Sequence, residues 1–152
     1  MLAFVLPLLA SVPTTAFAQS VVTLFVTDPF TGIALAGRDP VSYFTEPVPL
    51  AGKAEHEYIW QNVPWYFATA ANRDAFIAHP EIYAPQFGGH AAMGVARGFV
   101  SDSNPDFYTV FKQRLYLFYS AAQREAFLLA PDAAAREAEA RWPALMANLS
   151  IH

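Results

Sequence analysis

The sequence predicts a mixed α+β fold built from two β-hairpins and several short helices, and three observations predict it. Residues 57–61 (EYIWQ) and 64–68 (PWYFA) are aromatic and β-branched runs on either side of a polar turn at Gln61 and Asn62. Residues 107–111 and 115–119 make a second candidate hairpin around Lys112, Gln113 and Arg114. Segments with a capping residue and helical spacing follow both: Thr69 ahead of residues 70–78, and Ser120 ahead of a helix that includes residues 123–129.

Taken in order, residues 1–18 (MLAFVLPLLASVPTTAFA) hold no charge, an apolar run and a closing Ala-Phe-Ala. That pattern predicts a cleavable secretory signal with Gln19 as the mature start, and hence a periplasmic or secreted product. The stretch is shorter than the ~20 apolar residues a membrane span needs, and no later segment reaches that length either. It lacks a Lys or Arg ahead of the apolar run.

Residues 19–36 are expected to hold one strand, at 21–26 (VVTLFV), and a turn-rich loop from Asp28 to Gly37. The main domain is expected over 37–147. Asp39 ahead of Pro40 reads as a helix cap opening one or two turns. In the first hairpin Tyr58 and Trp60 share one face, and Trp65 and Phe67 share a face of the partner strand. In the helix at 70–78, Phe76 and Ile77 are expected on the core side and Arg73 and Asp74 in water. His79-Pro80 stops it, and 80–83 adds a turn. Gly88-Gly89 allows a tight bend, after which residues 90–96 read as a helix ended by Gly98. Pro131 opens an Ala-rich helix running to about Trp142-Pro143. No internal repeat and no dividing linker is visible.

Composition limits the function classes. The chain is 55% hydrophobic and only 14% charged, so its 152 residues can bury a core without disulfides. Its net charge of −4 and the lack of a basic stripe argue against nucleic acid. It has no cysteine, which excludes thiolate catalysis and cysteine-based metal centres. No nucleophile-elbow, P-loop or dinucleotide fingerprint is present.

The order of several segments is specific. Residues 37–44 (GRDPVSYF), 58–60 (YIW), 65–67 (WYF), 71–76 (ANRDAF), 80–89 (PEIYAPQFGG), 114–119 (RLYLFY) and 141–143 (RWP) together resemble the exported YHS-domain proteins of bacteria. The resemblance covers about 37–143. It implies a small antiparallel sheet with helices packed around it, and an association with metal handling, copper especially, without a settled enzymatic activity. Relatives usually carry a cysteine two residues beyond the double glycine; Ala91 stands there in this chain.

Two sets of residues are candidates for binding. His90 and Met93 lie three apart on the expected helix, and imidazole with thioether is a soft pair suited to copper. The competing reading makes Met93 core filler and His90 a capping residue. Tyr43, Tyr83 and Phe87 could line a pocket for a small ligand, with aromatic core as the alternative. His56 and His79 are further imidazoles without a defined position relative to His90. The sequence therefore points to a non-catalytic module binding a metal ion or small ligand, or to an interaction module that docks a protein partner.

Overall fold

The computed structural model describes residues 24–149. The expected signal at 1–18 and the first half of the expected strand at 21–26 lie outside that range. The fold is α+β: two antiparallel two-stranded sheets with six α-helices packed around them. In chain order these are α1 (Ser42–Thr45), β1 (Lys53–Trp60), β2 (Val63–Phe67), α2 (Ala70–Ala78), α3 (Pro80–Tyr83), α4 (Ala92–Arg97), β3 (Asn104–Phe111), β4 (Arg114–Phe118), α5 (Ala121–Leu129) and α6 (Pro131–Met146). A short 3-10 turn precedes each half, at Leu35–Gly37 and Gln86–Gly89.

Both hairpins turn where the polar residues stand. Gln61 and Asn62 link β1 to β2 with φ of 54° and 61°; Lys112 and Gln113 link β3 to β4 with φ of 49° and 58°. Paired positive φ values match the strand twist in two-residue hairpins. Arg114 thus belongs to β4, opposite Phe111, rather than to the turn. The helix caps also form as expected: the Thr69 hydroxyl accepts from the Asn72 amide at 3.1 Å, and Ser120 accepts from the Gln123 amide at 3.4 Å.

Contrary to the sequence reading, the architecture is a tandem repeat. A single offset of 51 residues carries β1, β2, α2 and Pro80 onto β3, β4, α5 and Pro131. The linking residues His79 and Ala130 share an unusual backbone, at (−144°, 60°) and (−152°, 64°). The lead-in segments match as well, one residue further apart. Leu35, Ala36 and Gly37 have φ of 54°, 50° and 78°; Phe87, Gly88 and Gly89 have 57°, 61° and 83°. Their hydrogen bonds agree. The Arg38 amide donates to Leu35 O and the His90 amide to Phe87 O; the Asp39 amide donates to Leu50 O and the Ala91 amide to Ser101 O. Asp39 and Ala91 therefore occupy equivalent positions. The sequence trace is FATAANRDAF at 67–76 against FYSAAQREAF at 118–127.

Each unit buries its own aromatic cluster, and that burial is the main drive for folding. In the first, Trp65, Phe67 and Phe76 pack with Trp60 and Phe25. In the second, Tyr116, Phe118 and Phe127 pack with Phe87 and the small residues Ala135 and Ala138 of α6. Phe76 and Phe127 are the equivalent anchors of α2 and α5. Ile77 was expected in the core but is 44% exposed, because a nine-residue helix on this hairpin buries a narrow stripe.

Two further expectations are corrected. Residues 24–26 form no strand; Phe25 is buried, and the Val26 amide donates to Gly88 O at 2.8 Å. That contact needs glycine, since a Cβ on Gly88 would sit 1.8 Å from Leu24 O. α6 runs through Pro143 to Met146 rather than ending there. Pro143 removes one amide donor, and one further turn is nevertheless formed beyond it.

Candidate functional site

Asp39 is the most completely used polar residue. It is 0% exposed. One carboxylate oxygen accepts from the amides of Val41 (2.9 Å) and Ser42 (3.4 Å). The other accepts from the Ala68 amide (2.8 Å) and Asn72 Nδ2 (2.6 Å). The carboxylate thus caps α1, ends β2 and holds α2. Its valence is filled by protein donors, which fits the capping reading rather than a ligand or catalytic role.

The copper pair does not share a helical face. His90 follows the positive-φ run of Phe87, Gly88 and Gly89 with extended backbone (−65°, 152°) and lies outside α4, which begins at Ala92. The spacing argument fails because the double-glycine bend delays the helix by two residues. His90 is 2% exposed, with its ring 5.9 Å from Trp142 of α6. Met93 packs against the second aromatic cluster. Ala91 is fully buried. Among the described residues no group of three or more His, Cys, Asp or Glu converges. His56 lies within β1 beside Glu55 (3.4 Å), and His79 lies at the end of α2 beside Glu81 (3.5 Å). His90 and Met93 are thus one imidazole and one thioether on different backbone elements, and no step is assigned to a metal.

The three aromatic candidates are divided between the clusters. Tyr43 is buried in the first unit; its hydroxyl donates to Pro105 O of β3 at 3.0 Å and its ring meets Tyr108 edge-on at 4.8 Å. It ties one unit to the other. Burial holds its phenol well above the ordinary range, the nearby Arg38 opposing this and Asp106 reinforcing it. Tyr83 packs edge-on against Phe44 at 5.4 Å. Phe87 belongs to the second cluster, 5.7 Å from Trp142. None of the three lines either of the two cavities described below.

The concave feature that the sequence did not mark is a cleft of about 150 Å³ at the seam between the units. Val26, Leu35, Pro105 and Leu117 supply apolar walls, and Thr27, Asp28, Asp102 and Ser103 supply polar atoms. Its geometry is fixed on both sides. Ser103 donates its hydroxyl to Gly89 O at 2.6 Å. On the other side, Asp28 Oδ1 accepts from the Phe30 and Thr31 amides (3.0 and 2.8 Å) and from the Thr31 hydroxyl (3.0 Å). These bonds, the Thr31 amide foremost, hold the Asp28 carboxyl below the usual carboxylate range, so it is ionised at neutral pH. Leu35 and Ala36, both at positive φ without being glycine, line the floor. Strained backbone of this kind collects at functional sites.

A second depression, of about 330 Å³, lies between the β3–β4 turn and α6. It is laced by the Lys112–Asp132 and Arg114–Glu139 ion pairs, the latter 2.5 Å. Such exposed pairs suit a solvated face.

No family model, no curated protein and no solved structure matches the chain. No helix among the described residues is long and apolar enough to cross a membrane.

Proposed function

We propose that this chain is a non-catalytic binding module of the exported YHS type, and that its ligand enters the seam cleft. The observation that carries the reading is the convergence of apolar walls from both units with polar atoms held by Ser103 and by the Asp28 turn. Largely apolar concavities with a few fixed polar groups are where small molecules and side chains bind. The resemblance of residues 37–143 to exported YHS proteins supports the family and the compartment, and the α+β architecture is compatible with both.

The cleft has room for one short aliphatic chain, and 1-hexanol is a suitable probe. Saturation-transfer NMR on the protein should show hexanol binding, and Asp102→Trp, which places an indole among the lining residues, should abolish it. Equal signal in both proteins would overturn the assignment. Titration with Cu(I) and Cu(II), with His90→Ala and Met93→Ala alongside, separates this reading from the metal one. Tight copper binding lost in both variants would replace the cleft as the functional site.

A further inference from the structure

We propose that the seam cleft and the turn beside it form one docking surface for a partner segment that carries an aliphatic side chain next to a Lys or Arg. This rests on the cleft being the binding site. Three observations support it.

Phe30 is 95% exposed, the extreme among the large apolar residues described. It is held rigidly. Asp28 Oδ1 fixes the Phe30 and Thr31 amides, the Asp28 amide donates to Ile33 O at 2.9 Å, and Thr27 pairs with Ala34. An aromatic ring kept in water on a pre-ordered turn loses little further freedom when it is buried by a partner, which is how interface anchors work. The turn is also contiguous with the cleft, because Asp28 and Pro29 line it directly before Phe30.

Charge selects the partner. Asp28 and Asp102 are the charged residues of the lining, and no Lys, Arg or His joins them. The nearby Arg38 is engaged with Asp106. An apolar slot flanked by two carboxylates complements an aliphatic side chain with a neighbouring cation, and repels an acidic segment. The Phe30 ring offers the same cation a π face.

The test uses fluorescence anisotropy with three labelled, end-capped hexapeptides: Ala-Leu-Lys-Leu-Lys-Ala, the same peptide with Glu for Lys, and the same with Ser for Leu. The basic apolar peptide should bind best, and its affinity should fall several-fold as salt rises from about 50 to about 500 mM, since exposed charges are screened over that range. Phe30→Ser and Asp102→Asn, both at exposed positions, should each weaken it by about tenfold while leaving the fold intact. Equal binding of the acidic peptide, or no effect of either variant, would overturn the proposal. If hexanol still binds while all three peptides fail, the partner chemistry is wrong and the cleft survives; if nothing binds, both fall.

Discussion

At the scale of single residues, Asp39 and Tyr43 carry most of the argument. Asp39 faces four donors and no acceptor. Asp39→Asn turns one oxygen into a donor among donors, so it should destabilise the protein by about 2–4 kcal/mol, measured by urea unfolding. An effect below about 0.5 kcal/mol would mean that the carboxylate is dispensable. Tyr43 makes a pH prediction. Its phenol is raised from an ordinary value of 10.0, chiefly by burial, so the folded state keeps a proton that the unfolded chain releases. The stability is therefore complete below about pH 10 and is lost as pH climbs beyond it. Tyr43→Phe should cost about 1 kcal/mol at neutral pH, through the lost bond to Pro105 O, and should flatten the alkaline decline. Tyr116, raised by burial in the same direction, keeps part of that decline. An unchanged slope would contradict the buried placement of Tyr43.

Hairpins and capped helices were legible in the sequence because their signals are local. Gln61-Asn62, Thr69, Ser120 and Pro80 each act within four residues, and each acts where expected. His90 was not legible, because its placement depends on how the Phe87–Gly89 backbone bends, and spacing alone treats that bend as helix. The repeat is faint in the sequence because the two units share side chains mainly at 67–76 and 118–127, where β2 and β4 hand over to α2 and α5. Elsewhere the shared feature is backbone geometry, which different residues satisfy. The β3–β4 turn shows this cost: Lys112 and Gln113 adopt positive φ without being glycine. Gln113→Gly should stabilise the protein by about 0.5–1 kcal/mol in urea unfolding. A loss of stability would mean that the turn is not of the positive-φ kind.

For the whole molecule, the two units explain why a cleft exists. The units share their packing: Leu115 and Leu117 of β4 are buried in the first cluster, and Tyr43 and the Val26–Gly88 contact also cross between them. Their junction leaves a cleft beside Leu35, Pro105 and Leu117, and the N-terminal turn borders it. The cleft could not be read from the sequence because its walls come from positions as distant as Val26 and Leu117. Asp102 and Ser103 carry no motif, and Asp28 and Phe30 read only as loop. In the repeat Ala91 is the equivalent of Asp39, and thus corresponds to the structural carboxylate of the first unit.

On the proposed function, ligands enter at the junction of the two units. The most direct measurement is a two-dimensional amide NMR titration of the protein with 1-hexanol. Shifts concentrated at Thr27, Asp28, Leu35, Ala36, Asp102 and Ser103 are the predicted result. Shifts centred on His90 and Met93, or spread without focus over the surface, would contradict it.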